Sequence, residues 1–144
     1  MESAFELPKY KVGYTSGVYD MFHVGHLNLI KQSKMRCKNL IVSVTTDELC
    51  NEAKNKNPII CFENRLDIVS SIKYVDRAIP QESMDKFEAW KKLNFNVIFV
   101  GDDWKGHPRW VELEEKFNLV NVDVIYLPYT KNISSTFLRK EYCL

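Results

Sequence analysis

Four short apolar runs punctuate the chain, at Val12–Tyr14, Leu40–Val44, Val97–Val100 and Val122–Leu127, each bounded by polar or turn-forming residues. Runs of this length, rich in β-branched residues and apolar at consecutive positions, have the pattern of strands buried on both faces. Between them the apolar period lengthens to that of a helix. Leu27, Ile30, Lys34 and Met35 fall on roughly one face of a helix expected from about Val24 to Lys38. Leu66, Val69 and Ile72 mark a second helix, Phe87, Trp90 and Leu93 a third, and Val111 to Leu119 a fourth, with a short helical run at Phe137 to Lys140. This alternation predicts an α/β fold: an open parallel sheet with helices on both faces. Such sheets bind ligands beyond the carboxyl ends of their strands, so the loops at those ends are where chemistry is expected.

Composition narrows the class. At 144 residues and 45% hydrophobic, the chain has material for one core, and a single domain over 1–144 is expected, with 1–10 as an N-terminal extension. With 20 basic and 19 acidic side chains the formal charge is +1, too little to hold a nucleic-acid backbone or an anionic bilayer through a global field. Neither nucleic acid nor membrane is an expected partner, and any bound anion has to be gripped locally. No apolar run approaches the ~20 residues of a membrane span, and Met1 to Ala4 carries a charge where a signal peptide is apolar. The four cysteines, Cys37, Cys50, Cys61 and Cys143, show no CxxC spacing and read as reduced thiols, which together point to a cytoplasmic location.

Three loops carry residues suited to anions. The first is Gly17-Val-Tyr-Asp-Met-Phe-His-Val-Gly-His26, between the first strand and the first helix. Histidines at i and i+3 of a first turn share a face and can converge on a phosphate, and Gly25 between them keeps the backbone approachable. Two other readings stay open: a capping His23 with a core His26, and a zinc pair, although no glutamate or cysteine nearby completes a tetrahedral set. The second loop holds Lys54-Asn-Lys56, then Pro58 and Arg65 on the helix that follows. Two lysines can fold over a polyphosphate while Arg65 offers a bidentate contact; a solvated charged loop explains the same residues. The third pairs Gly101-Asp-Asp-Trp104 with Ile133-Ser-Ser-Thr136. The aspartates can accept from substrate hydroxyls or help hold Mg²⁺, Trp104 offers a flat wall, and the serines read as an N-cap with hydroxyls to spare.

The segment His23-Val-Gly-His26 matches the HxGH signature of the nucleotidylyltransferase superfamily. From about Val12 to Lys140 the chain resembles its small cytidylyltransferase branch, of glycerol-phosphate type. The ordered set that carries this is Gly17-Val-Tyr-Asp20, Thr46-Asp-Glu48, Lys54-Asn-Lys56, Arg65, Tyr74-Val-Asp76, Gly101-Asp-Asp-Trp104 and Ile133-Ser-Ser-Thr136. The resemblance implies a Rossmann-like sheet and transfer of CMP from CTP to an alcohol phosphate, with pyrophosphate released and the product feeding envelope or capsular polymer synthesis. By the same resemblance His23, His26, Lys54 and Lys56 are catalytic, the lysines falling into place with one residue inserted ahead of them. Gly17, Val18, Tyr19, Gly25, Asp103, Ile133, Ser134, Ser135 and Thr136 would bind the nucleotide. Asp20, Arg65, Lys73, Asp76, Trp104 and Arg109 would bind the acceptor. Mg²⁺ is expected on the CTP phosphates rather than on a protein site, and a homodimer is implied.

The chain departs from the family pattern at several positions. Where the family commonly reads Arg-Thr-Glu-Gly-Ile-Ser, this chain has Tyr129-Thr-Lys-Asn-Ile-Ser134, which loses an arginine and a glycine. Lys131 is expected to replace the charge, and Asn132 to take the left-handed turn. Lys73 stands in place of an arginine and Val18 in place of a threonine, and Lys105 to Trp110 forms a basic insert beside the aspartates. The competing functions are an adenylyltransferase of the same superfamily and a non-catalytic nucleotide-binding module.

Overall fold

The computed structural model describes residues 8–144; the rest of the expected N-terminal extension, residues 1–7, lies outside the described residues. Among them five strands form one parallel sheet in the order β3-β2-β1-β4-β5: β1 (Tyr10–Gly17), β2 (Cys37–Thr45), β3 (Arg77–Gln81), β4 (Val97–Gly101) and β5 (Asp123–Leu127). The helices are α1 (Val24–Lys34), α2 (Asp47–Lys54), α3 (Phe62–Ser70), α4 (Lys86–Leu93), α5 (Pro108–Asn118) and α6 (Ser135–Glu141). The Rossmann-like α/β expectation holds. None of the described helices is long and apolar enough to cross a membrane.

Two apolar layers hold the sheet. On one face Ile30 of α1 and Val69 of α3 pack against Leu40, Val42, Val44, Val97 and Phe99. On the other, Trp110 and Phe117 of α5, with Phe87 and Trp90 of α4 against them, cover Tyr14, Ile41, Phe95 and Ile98. The alternation of Leu40, Val42 and Val44 with Ile41 along β2 is what lets one strand serve both layers. All four cysteines are free thiols.

Strand β1 pairs with β2 on one side and β4 on the other, so the chain's direction of winding reverses there and a crevice opens at the carboxyl ends of β1 and β4. The loop leaving β1 is held in an unusual shape. Tyr19 and Met21 both have positive φ, at 57° and 51°. A non-glycine residue in that region is strained, typically by about 1–3 kcal/mol. Burial of the Tyr19 ring, only 5% exposed in the apolar layer, holds it there.

Several boundaries differ from the sequence reading. Strand β1 is eight residues long, beginning at Tyr10 inside the expected extension. Helix α1 stops at Lys34: Met35 is its cap and 60% exposed, and Cys37 already starts β2. Ile72 lies beyond the end of α3 yet packs on the core, and Leu119, 86% exposed, lies beyond α5. Two elements have no apolar signal and were not anticipated. Strand β3, Arg77-Ala-Ile-Pro-Gln81, tolerates Pro80 because it is an edge strand. Helix α2 is polar and is started by Thr46, whose hydroxyl accepts from Leu49 N, so Lys54 ends a helix rather than sitting in a loop.

Candidate active site

A cleft of about 350 Å³ opens at the winding reversal, floored by Thr15 to Gly17 at the end of β1. Its walls are the start of α1, the end of α2, the turn after β4 and the segment between β5 and α6. Four segments remote in sequence thus meet at one rim.

His23 is the N-cap of α1, and the cap is reciprocal. Its Nδ1 accepts from Gly25 N at 3.0 Å, while Nδ1 of His26 accepts from His23 N at 3.2 Å. The two rings stack with centroids 3.8 Å apart. Because each Nδ1 is an acceptor, each neutral ring carries its proton on Nε2, and those two N–H groups belong to residues that line the cleft. Burial lowers the pKa of His23. Burial pushes His26 down to about 3, reinforced by His23 and opposed by the charge of Asp20. The pair is therefore a neutral double donor at physiological pH: His23 caps α1, as one of the open readings had it, and His26 lines the cleft beside it rather than lying in the core. His23 takes Gly25 N, one of the first-turn N–H groups of α1, for itself. Gly25 lines the cleft, and the structure adds a second reason for a glycine there. A Cβ there would sit 2.8 Å from Cε1 of His23, so a glycine is what allows the imidazole to fold over the turn.

Of the other anticipated residues, Gly17, Val18, Tyr19, Asp20, Lys54, Lys56, Asp103, Trp104, Ile133 and Ser134 to Thr136 all line the cleft. Lys54 and Lys56 flank Asn55, whose left-handed φ of 53° ends α2 and turns the chain. Neither lysine has an ion-pair partner among the described residues. Asn132 adopts the left-handed conformation expected of it, at φ 66°. Lys131 is exposed and does not line the cleft; the cation that does so from this end of the chain is Arg139.

The serines are less free than expected. Ser134 Oγ caps α6 by accepting from Phe137 N at 2.9 Å, and Ser135 Oγ donates to the Asp20 carbonyl at 2.6 Å. Asp20 itself is a knot of internal bonds. Its carboxylate accepts from Ile59 N, Ile60 N and Arg139 Nη2 at 2.7, 2.9 and 2.7 Å. Burial opposes its ionisation, but those donors outweigh it and hold the carboxyl below its ordinary pKa. Asp20 thus ties the loop bearing Lys54 and Lys56, through Ile59 and Ile60, to α6.

Four anticipated acceptor residues lie elsewhere. Arg65 is 1% exposed, and its guanidinium donates to the carbonyls of Ile60, Val18 and Thr45 and to Asp47 Oδ1, at 2.6–2.8 Å. Four of its five N–H donors are taken by the protein and it is sealed from the cleft, so it is a peg behind the site rather than a ligand group. Asp76 accepts from Leu40 N and pairs with Lys34, near the amino end of β2, which places it and neighbouring Lys73 at the opposite edge of the sheet from the cleft. Arg109 stands in the first turn of α5 and does not line the cleft.

Tyr129, Thr130, Cys50 and Arg139 line the cleft without having been anticipated. For Arg139 a signal existed: Ser135 and Arg139 are spaced i, i+4 on α6 and both reach Asp20. For the others the residue types carry no chemistry that sequence alone would single out.

Comparison with known proteins agrees with this geometry. The family profile described as Cytidylyltransferase-like matches residues 14–141. The glycerol-3-phosphate cytidylyltransferase of Bacillus subtilis (strain 168) is 34% identical over 130 residues, covering 88% of this chain and 93% of that protein. The FAD synthase of Thermococcus sibiricus (strain DSM 12597 / MM 739) is 34% identical over 116 residues, covering 80% and 78%. Among solved structures, a lipopolysaccharide core biosynthesis protein from Thermoplasma volcanium GSS1 superposes with a TM-score of 0.71 at 29% identity, over 86% of this chain and 99% of that one. The chain belongs to the cytidylyltransferase-like family. It is a nucleotidyltransferase.

Proposed function

We propose that the protein transfers CMP from CTP to a small alcohol phosphate, with glycerol phosphate the foremost candidate, giving a CDP-alcohol and pyrophosphate. The observation that carries this is the locked imidazole pair, two neutral Nε2–H donors on a cleft also lined by Lys54 and Lys56, which have no ion-pair partner among the described residues. An oxygen of the acceptor phosphate attacks the α-phosphorus of CTP. The bond from that phosphorus to the bridging oxygen breaks, and its electron pair leaves on pyrophosphate. No proton has to move, so the site needs positioning and charge stabilisation rather than a general base. Neutral imidazoles suit this, because they donate to oxygens gaining charge and have no proton to lose. Lys54 and Lys56 neutralise the triphosphate, and Trp104 and Asp103 offer a flat wall and an acceptor for substrate hydroxyls.

Among the described residues no cluster of three or more His, Cys, Asp or Glu side chains is arranged for a metal. A magnesium ion that keeps most of its water and is carried by the triphosphate fits such a site; of the two cleft carboxylates, Asp20 is taken up by Arg139, Ile59 and Ile60, which leaves Asp103 as the one that would meet it. Bound there, Mg²⁺ would supply charge neutralisation of the phosphates.

The cytidylyl reading is favoured over the adenylyl one by coverage. The matched glycerol-3-phosphate cytidylyltransferases align over 88% of this chain, the FAD synthases over 78–80%. The test is pyrophosphate release and product mass with Mg²⁺, each nucleoside triphosphate, and a panel of glycerol 3-phosphate, glycerol 2-phosphate, longer polyol phosphates and FMN. CTP with a glycerol phosphate is expected to turn over. Turnover with ATP and FMN but not with CTP would overturn the reading, as would CTP binding with no pyrophosphate from any acceptor.

A further inference from the structure

We propose that Phe22, together with the ring of Tyr19, is a positioning residue for the reaction: the two rings clamp the imidazole of His26, so that it keeps one orientation and one tautomer as the phosphates arrive. The proposal rests on the transferase reading above and names what holds the donor on which that reading depends.

The loop that carries the two rings has a shape that must be held. Tyr19 and Met21 both take the left-handed backbone conformation, which residues of their kind disfavour. The bonds around them hold it. The Val18 carbonyl accepts from Arg65 Nη1, the Asp20 carboxylate accepts from Ile59 N, Ile60 N and Arg139 Nη2, and the Asp20 carbonyl accepts from Ser135 Oγ. Held in this way, Tyr19 and Phe22 stand with ring centroids 6.2 Å from each other and each 5.3 Å from the ring of His26. Tyr19 meets the imidazole edge-on at 72°, Phe22 meets it at 41°, and His23 stacks on it at 3.8 Å. These are the separations of packed aromatic pairs. Tyr19 lines the cleft; Phe22 does not, and packs on the apolar layer of the sheet, so it joins His26 to the core.

The reciprocal cap shows why this matters. Nδ1 of His26 has to remain an acceptor, because it takes the N–H of His23 at 3.2 Å. A proton on Nδ1 would set one N–H against another, and the ring would turn and carry Nε2 out of place. Apolar rings on its flanks resist that turn and, by excluding water, disfavour the charged form. Burial is the largest cause of the low pKa of His26, with His23 adding to it and Asp20 opposing it. The other charged groups on the cleft are Asp103, Lys54, Lys56 and Arg139, the last of them paired with Asp20. The apolar layer alone accounts for Phe22 being covered. It does not account for a loop with two left-handed residues that brings two rings to one imidazole.

The test uses wild-type protein, Phe22→Ala, Phe22→Leu and, as a control for lost packing, Ile72→Ala at a residue on the same apolar layer. Long-range ¹H–¹⁵N spectra from pH 8 to pH 4 are expected to show His26 neutral throughout in wild type and in Ile72→Ala. In both Phe22 variants it should titrate within that range, closer to the ordinary 6.5 in Phe22→Ala. The kcat of Phe22→Ala relative to wild type, at saturating CTP and acceptor, is expected to fall roughly tenfold between pH 8 and pH 5, because an imidazole titrating near 6 is about nine-tenths protonated one pH unit lower. The same ratio for Ile72→Ala should stay level. His26 remaining neutral in both Phe22 variants, or a ratio that does not change with pH in Phe22→Ala, would overturn the proposal. If circular dichroism shows Phe22→Ala unfolded, Phe22→Leu decides by the same two readings. If no acceptor turns over with CTP in wild type, the transferase reading fails on its own, while the histidine titration still decides whether Phe22 holds His26.

Discussion

Replacing Arg65 separates a peg from a ligand group. In Arg65→Met the aliphatic part of the side chain is kept and the guanidinium is lost, so the carbonyls of Val18, Thr45 and Ile60 lose the donor that now meets each of them at 2.7–2.8 Å. An orphaned buried acceptor typically costs about 1–3 kcal/mol. Asp47, the fourth partner, is 36% exposed and regains water, so it adds little. Some relaxation of the three backbone segments is expected, and a total of ~3–5 kcal/mol agrees with the usual effect of breaking a buried charged network. For a domain of this size that is roughly a 10–15 °C fall in melting temperature. The assay is calorimetric unfolding together with chemical denaturation, followed by steady-state kinetics well below the lowered transition. The acceptor KM should change far less than the stability does. A variant that melts within about 2 °C of wild type while its acceptor KM rises tenfold would refute this and restore Arg65 to the binding site.

Three further outcomes follow from the same geometry. His26→Ala should keep the fold, losing about 1 kcal/mol with the reciprocal cap, yet drop kcat at least ~10²-fold as a preorganised donor is removed; unchanged kcat would contradict its role. Because the folded pKa of His26, about 3, lies below the unfolded 6.5, its share of stability is complete above pH 6.5 and is lost as pH falls toward 3. Denaturation at pH 8 and pH 5 should therefore show a loss of ~2 kcal/mol that His26→Asn lacks; equal losses in both proteins would contradict it. Asp20→Ala should speed hydrogen exchange in residues 55–61 and in α6 together, since one carboxylate and one carbonyl hold both; acceleration of one segment alone would show that Asp20 does not couple them.

Legibility followed the physics of each element. Strands β1, β2, β4 and β5 were readable because packing against both layers calls for consecutive apolar residues, as with Val124 and Ile125 on the edge strand β5, while β3 hides because Ile79 is its one β-branched residue. Helix α2 buries only Cys50 and is announced by its cap, not by a stripe. The rim was foreseen as a meeting of three loops, and the cleft does gather His23, His26, Lys54, Lys56, Asp103 and the Ile133–Thr136 segment. What sequence could not separate was a cation facing ligand from a cation facing backbone. Arg65 and Arg139 are both arginines on helices near the site, and only the fold shows one sealed among carbonyls and the other on the cleft wall. Lys73 and Asp76 show the same limit, since nothing in their local pattern says which edge of the sheet they occupy.

The account stands on the protonation of two rings. Long-range ¹H–¹⁵N NMR spectra of the histidine side chains, recorded from pH 8 to pH 4 on ¹⁵N-labelled protein with and without CTP, read it directly. Both His23 and His26 are expected as Nε2–H tautomers, with His26 neutral across that whole range and with both Nε2–H signals moving when CTP is added. An Nδ1–H tautomer at either ring, or His26 titrating near 6.5, would contradict the claim that a neutral double donor awaits the phosphates.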